Sequence, residues 1–404
     1  MEIVAAIDSF KGSMTSVQAG KAAAKGIHKV DPEAKVHVRP LADGGEGTVE
    51  ALVSGMNGTI RKVSVTGPIG KTVVCEYGVI ENTGGKTEEK TAVIEIAKAA
   101  GLTLLSEEER NPLYTTTYGV GEVIKDAVRN GCRKFIVGIG GSATNDGGAG
   151  MLQALGFGLL KENGEQIPIG ARGLEELAEI TDDNVIPELA ECKFKIACDV
   201  TNVLCGETGA SAVYGPQKGA DEEMTERLDR LLFSYASLVK KKIPKADSMY
   251  PGTGAAGGLG FAFLTFMDAQ LESGIQIVIK ETGLEQEIAK ADLVITGEGR
   301  MDGQTAMGKA PIGIAKIAKK YGKPVIAFAG AAARDAGACN EQGIDAFFPI
   351  LREAVSLEAA MKRENAEANM EAAVEQAYRL WRLGPAVHKR KFRKMLGSFA
   401  VFVI

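Results

Sequence analysis

The chain has 404 residues, with 47 basic and 52 acidic side chains and a formal net charge of −5. That length suits two domains or one elaborated one, and the acidic balance speaks against a nucleic-acid-binding protein, which needs a basic surface. Six scattered cysteines without a CxxC pair and only three histidines speak against a disulfide framework, a zinc centre or a His-based triad and fit free thiols in a reducing, cytoplasmic setting.

The opening stretch MEIVAAIDSF has an apolar run, Ile3–Ile7, closed by Asp8, and no basic region before it. It reads as a first strand and not as a signal peptide. Thr15–Gln18 has the form of a capping box and opens an Ala-rich helix to about Lys29. Val36 and Val38 alternate with polar residues as a second strand, and a Gly-rich loop, Asp43–Gly47, leads into a short helix. Lys62–Thr66, Thr72–Ile80, Thr91–Ile96, Phe135–Ile139 and Phe194–Asp199 read as further strands. Asp221–Lys241 is an amphipathic helix with Leu228, Leu231, Leu232, Tyr235 and Leu238 on one face. Toward the end, strands are expected at Leu293–Thr296, Pro324–Ala329 and Ile344–Pro349, with helices at Pro311–Tyr321 and over most of Leu357–Leu380. No stretch of about 18 apolar residues is present to span a membrane.

The two ends together supply five strands alternating with helices, and neither end suffices alone. The expected fold class is therefore α/β, with residues 1–63 and 285–380 sharing one discontinuous, flavodoxin-like, doubly wound parallel sheet and residues 64–284 forming an inserted α/β domain. The segment 381–404, with basic HKRKFRK and apolar SFAVFVI, is an atypical tail from which no function is inferred.

Chemistry-bearing residues gather in loops beyond strand ends. The string from Gly138 to Gly150, GIGGSATNDGGAG, follows a β-branched strand and precedes a helix. Such a turn can aim backbone N–H groups at a phosphate or carboxylate, with Ser142 and Thr144 adding hydroxyls and Asn145 and Asp146 able to hold a metal. A tight structural turn and a dinucleotide fingerprint (Gly138, Gly140, Ala143) compete with that reading, although no acid closes a following strand some twenty residues on. No G-K-[ST] follows, which excludes a Walker loop. Gly252–Gly258 offers a second Gly-rich loop, in which Gly254 is a candidate anion cradle. Asp8 with Lys11, Asp43 with Glu46, Asp199 with Asn202, and Glu298, Arg300 and Asp302 with Lys309 occupy four more loops. Acids, Asn, Lys and Arg without His or a clear Ser nucleophile suit Mg²⁺-assisted phosphoryl transfer.

The strings DSFKGS, ADGGEGT, VTGP, GIGGSATNDGGAG, ACDVTN, YGPQKGA, GAAGG, VITGEGR and GKAPIG, in this order from Met1 to about Leu380, resemble the bacterial glycerate kinases that lack a Walker loop. The resemblance implies ATP, Mg²⁺ and D-glycerate, two α/β domains and an active site in the cleft between them. The motif positions carry over, and their place beyond strand ends makes Asp199, Asp43, Lys11 and Asp8 the catalytic candidates. Gly140, Gly141, Ser142, Thr144, Asn145, Gly254, Arg300 and Lys309 become candidates for phosphate or substrate binding, and Asp199, Asp146, Glu298 and Asp302 for a metal. The product would be 2-phosphoglycerate, with 3-phosphoglycerate left open, and so is the choice between monomer and homodimer. A nicotinamide-dependent oxidoreductase of a small hydroxy acid, resting on the two G-x-G strings, and a non-catalytic solute-binding protein are the competing classes.

Overall fold

The computed structural model describes residues 1–42, 44–81 and 89–399, with side chains described to residue 383. The strands, in chain order, are β1 (Glu2–Ile7), β2 (Lys35–Val38), β3 (Thr59–Thr66), β4 (Thr72–Glu81), β5 (Lys90–Glu95), β6 (Cys132–Gly138), β7 (Gly158–Leu160), β8 (Glu179–Thr181), β9 (Lys193–Ala197), β10 (Gln270–Glu272), β11 (Leu293–Met301), β12 (Val325–Ala332) and β13 (Ala346–Pro349). The chain divides into two compact units, Met1–Leu41 with Gly283–Ile404, and Ala42–Thr282. The boundary expected after residue 63 thus falls inside the second unit, because β3 pairs antiparallel with β4 along its whole length.

The first unit holds a five-stranded sheet in the order β13-β12-β11-β1-β2. Every pairing in it is parallel. Renumbered within the unit, this is the 2-1-3-4-5 order of doubly wound, flavodoxin-like sheets. β1 and β11 read as near-continuous apolar runs because helices cover both faces of such a sheet, and Ile3, Ala5, Leu293 and Val294 are fully buried. Thr15 and Gln18 form the expected capping box at the start of the helix Ser16–His28. The Ser16 hydroxyl donates to the Ile7 carbonyl and accepts from Leu41 N–H at 2.7 Å, tying that helix to the end of β1. Gly26 has no room for a side chain, since a Cβ would sit 2.3 Å from the carbonyl oxygen of Glu371 in the long helix Arg363–Phe399.

The second unit is built on a six-stranded sheet, β10-β9-β6-β5-β4-β3, with β7 and β8 as a separate pair. β10, β9, β6 and β5 run parallel, while β4 and β3 are antiparallel additions. Sequence reading does not anticipate β7, β8 and β10, each of three residues. Phe135 on β6 stacks on Phe194 of β9 at 4.6 Å between ring centroids. Such a pair adds about 0.5–1.5 kcal/mol beyond area burial and fixes the two strands whose ends carry the loops described next.

Candidate active site

In the first unit the strand connections leave β1 and β11 on opposite sides, so their C-terminal ends flank the topological switch point where open α/β sheets bind ligands. Asp8 N–H donates to the Gly297 carbonyl at 2.9 Å, which sets Asp8 beside Glu298, one step beyond the Ile7–Gly297 register pair. β11 runs on to Met301, so Glu298 and Arg300 sit on a strand end and not in a loop as expected. The Glu298 carboxylate is buried and accepts the Thr305 hydroxyl at 2.5 Å. Burial pushes its pKa up; Thr305 and the Lys309 and Lys11 charges act against that, while Asp302 adds to it.

Asp302 caps the helix Gly303–Ala306, accepting the N–H groups of Gln304 and Thr305 at 3.0 and 3.2 Å. Burial opposes its ionisation, but those N–H groups and the Lys309 and Arg300 charges outweigh it and hold its carboxyl below the usual range. Lys309 Nζ and Arg300 Nε stand 3.8 and 3.7 Å from its two oxygens. Such long pairs at solvent-exposed cations contribute little, so both cations can turn to an anionic ligand. Gly299 keeps the Asp8–Lys11 loop close: its Cβ would lie 3.4 Å from Phe10 Cα and 3.6 Å from Lys11 N. Asp8, Lys11, Glu298, Arg300, Asp302 and Lys309 therefore belong to one constellation of acids and bases.

In the second unit the loop after β6 is folded around Asp146. Its Oδ2 accepts Thr117 N–H at 2.8 Å, the Thr117 hydroxyl at 2.9 Å and Gly150 N–H at 3.3 Å, and its Oδ1 accepts Gly148 N–H at 3.1 Å. The residue is 0% exposed. Burial raises its pKa and the four donors act to lower it. The metal-ligand reading of Asp146 is corrected on this ground: its lone pairs are spent on the turn and it does not reach solvent. Ala143 and Gly147 N–H also donate within the fold, to the Ala100 and Gly257 carbonyls, so only part of the expected N–H cradle remains. Gly140 and Gly141 are the accessible residues of the turn, Ser142 retains 6% exposure, and Thr144 and Asn145 are buried.

In the second Gly-rich string the N–H of Gly254, the candidate anion donor, is already engaged. Gly254 N–H donates to the Asn202 carbonyl at 2.9 Å, and a Cβ at Gly257 would sit 2.1 Å from the Thr144 carbonyl oxygen. Ala256, Gly257 and Gly258 all have positive φ, and they form a left-handed turn that buttresses the loop after β6. Asn202 likewise serves the frame, accepting the Tyr214 hydroxyl at 2.6 Å and donating to the Thr208 carbonyl at 2.9 Å. Asp199, exposed beyond the end of β9, accepts Gly274 N–H at 3.3 Å.

Asp43 lies outside the described residues. The following Gly44 crosses the ends of β6 and β9, where a Cβ would meet Ala197 Cβ at 2.7 Å. Glu95, at the end of β5, accepts Val49 N–H at 2.8 Å and so grips the start of the helix Thr48–Gly55; burial raises its pKa against the N–H groups of Val49 and Gly47. Sequence reading passed over Glu95, although it is an acid at a strand end like the others. It also passed over Lys218, which is 2% exposed and donates to the Thr144 carbonyl at 2.6 Å. Burial lowers the Lys218 pKa to about 7, with the Asp146 charge resisting the shift. Among the described residues, no three His, Cys, Asp or Glu side chains are grouped to hold a metal ion, and no helix is long and apolar enough to cross a membrane.

Comparison with known proteins covers nearly the whole chain. The chain is 49% identical over 361 residues to a glycerate kinase of Halalkalibacterium halodurans, covering 89% of this chain and 93% of that one. It is 46% identical to the glycerate 2-kinase of Escherichia coli K12, covering 90% and 93% of the two chains. A crystal structure from Salmonella typhimurium LT2, provisionally named glycerate kinase 2, superposes with a TM-score of 0.85 at 45% identity over 96% of this chain and 99% of that one. The model of the glycerate kinase family matches residues 3–382, and with relatives this close in sequence and fold, the chain belongs to the glycerate kinase family.

Proposed function

We propose that the protein transfers the γ-phosphoryl group of ATP to the 2-hydroxyl of D-glycerate, giving 2-phosphoglycerate and ADP. The observation that carries this reading is the constellation at the β1/β11 switch point, where Asp8 and Glu298 stand beside Lys11, Arg300 and Lys309. Phosphoryl transfer needs little covalent chemistry from the protein; it needs positioning and neutralisation of charge. The 46% identity to a protein named glycerate 2-kinase supports the choice of hydroxyl.

Mg²⁺ fits the donor set. It binds through one or two carboxylates plus substrate phosphate oxygens and seldom through an all-protein cage, and Asp8 and Glu298 on adjacent strand ends are such a pair. When bound, the ion supplies charge neutralisation to the transferring phosphate. The chain's own groups do the rest. Arg300 and Lys309, held only loosely by Asp302, turn to phosphate or to the glycerate carboxylate, which Arg300 can grip through two parallel N–H bonds. Asp199, exposed at the end of β9 in the second unit, is a candidate general base or metal ligand. Gly140, Gly141 and Ser142 offer the accessible edge of the loop after β6 to an anionic group.

ADP release measured with D-glycerate, with and without Mg²⁺, tests the reaction. Coupled phosphorus NMR tests the position, because a phosphate on C2 couples to one proton and gives a doublet, whereas one on C3 couples to two and gives a triplet. ADP release that requires D-glycerate, with a doublet product, is the expected result. A triplet overturns the 2-hydroxyl assignment, and no glycerate-dependent ADP release overturns the kinase reading.

A further inference from the structure

The short segment Ala210–Lys218 touches both loops that carry candidate site residues in the second unit, and does so through side chains. The Ser211 hydroxyl, fully buried, accepts Asn145 Nδ2–H at 2.9 Å. Lys218 Nζ, at the far end of the segment, donates to the carbonyl of the preceding residue, Thr144, at 2.6 Å. Between them, the Tyr214 hydroxyl donates to Asn202 Oδ1 at 2.6 Å. The segment is itself rigid: the helix Ala210–Tyr214 passes into a 3₁₀ turn, Pro216–Lys218, with Gly215 N–H on the Ser211 carbonyl and Lys218 N–H on the Gly215 carbonyl, both at 2.9 Å. Its exit is fixed at Gly219, where φ is +95° and a Cβ would lie 2.3 Å from the Arg110 carbonyl oxygen.

We propose that this segment is a brace that sets the spacing between the loop after β6 and the loop after β9, with Lys218 and Tyr214 as positioning residues for phosphoryl transfer. The proposal rests on the reading of these two loops as parts of a phosphotransferase site. Neither residue is a catalytic group: Lys218 is 2% exposed and Tyr214 spends its hydroxyl on Asn202. A buried amine is an expensive way to hold one carbonyl, and a methionine would fill the same volume. What the amine adds is a hydrogen bond to the backbone carbonyl beside Asn145, in the field of the Asp146 carboxylate, which also acts on the buried Tyr235 hydroxyl. Misplacing a reacting group by about 1 Å costs on the order of 10²-fold in rate, so a brace between two loops is felt in turnover before it is felt in binding.

The test uses Tyr214→Phe and Lys218→Met in the full chain, with ADP release assayed at varied ATP and D-glycerate and with hydrogen exchange followed by mass spectrometry. The expected result is a kcat lowered about tenfold or more in each variant, KM for both substrates within about threefold of the parent, and faster exchange in residues 140–150 and 199–204. A folded Tyr214→Phe with kcat within about twofold of the parent overturns the proposal, and decides the matter alone where Lys218→Met fails to fold. Should the parent protein release no ADP with D-glycerate, the kinase reading fails separately. Exchange then judges the brace, and unchanged exchange in either loop on Tyr214→Phe overturns it.

Discussion

Asp146 and Asp199 are both acids in loops that follow a parallel strand, yet their surroundings differ: Asp146 is buried among donors and Asp199 is exposed. Replacing Asp146 by Asn keeps the size of the side chain but turns an amide N–H₂ toward groups that are themselves donors. Four donors converge on the carboxylate, from Thr117 N and Oγ1, Gly148 N and Gly150 N, and an Asn oxygen can keep about two of them. Each buried donor left without an acceptor costs about 1–3 kcal/mol. Removing the charge that acts on the buried Lys218 works in the same direction. The terms overlap, and about 3–5 kcal/mol is the expected total, or about 6–20 °C in midpoint for a unit of this size. Thermal unfolding followed by circular dichroism, with and without urea, reads it directly. An Asp146→Asn protein that melts within about 2 °C of the parent would refute the assignment of Asp146 as the knot of this loop.

Asp199→Asn should behave in the contrary way: stability changed by about 1 kcal/mol or less, because Asn can still accept Gly274 N–H, and turnover at saturating Mg²⁺ and ATP down on the order of 10²-fold. Near-normal turnover in the folded variant removes Asp199 from the chemistry. Glu298→Gln should lower turnover at least about tenfold and yet raise the melting point at pH 8. The folded-state pKa of Glu298 is raised by burial, so its contribution to stability is fully present below the unfolded value of 4.5 and is lost as pH rises through the folded value. The gain from Gln should therefore vanish near pH 4. For Lys218, lowered to about 7 from 10.5, the unfolded chain holds an extra proton between those values, so stability of the parent should climb as pH rises across that window. Lys218→Met should lack that part of the slope in urea unfolding measured from pH 7 to 10; an unchanged slope counts against a buried, titrating amine.

Much of the frame was legible in the sequence because it depends on local pattern. Continuous apolar runs at Ile3–Ile7 and Leu293–Thr296 signal parallel strands, and they do pair, Ile3 with Leu293. Thr15 and Gln18 form the capping box their spacing suggests. Acids beyond strand ends led to Asp8 and Glu298, and the same rule applied evenly would have reached Glu95. What pattern could not supply was the partner list. Asp146 is a structural carboxylate because Thr117, 29 residues upstream, supplies two donors, and nothing around Asp146 in sequence says so. Gly254 belongs to a motif that suits anions, but its N–H is taken by Asn202, more than fifty residues away. Nothing in YGPQKGA signals that the fold buries Lys218 beneath Thr144.

The parallel sheet of the first unit has a consequence for how the protein is made. β1 and β2 leave the ribosome before the rest of their sheet, but the other neighbour of β1 is β11, and the bond from Glu2 N–H to Asp292 Oδ2 spans 290 residues. At roughly 5–20 residues per second, the nascent chain waits about 15–60 s with the edge of β1 and its apolar faces unmatched. The segment Ala42–Thr282, contiguous and carrying its own sheet, can complete its fold during that delay. The N-terminal forty residues thus emerge as a sticky flag on a growing globule, and the yield of native protein in a cell should depend on what shelters Ile3–Ile7 until Leu293 arrives.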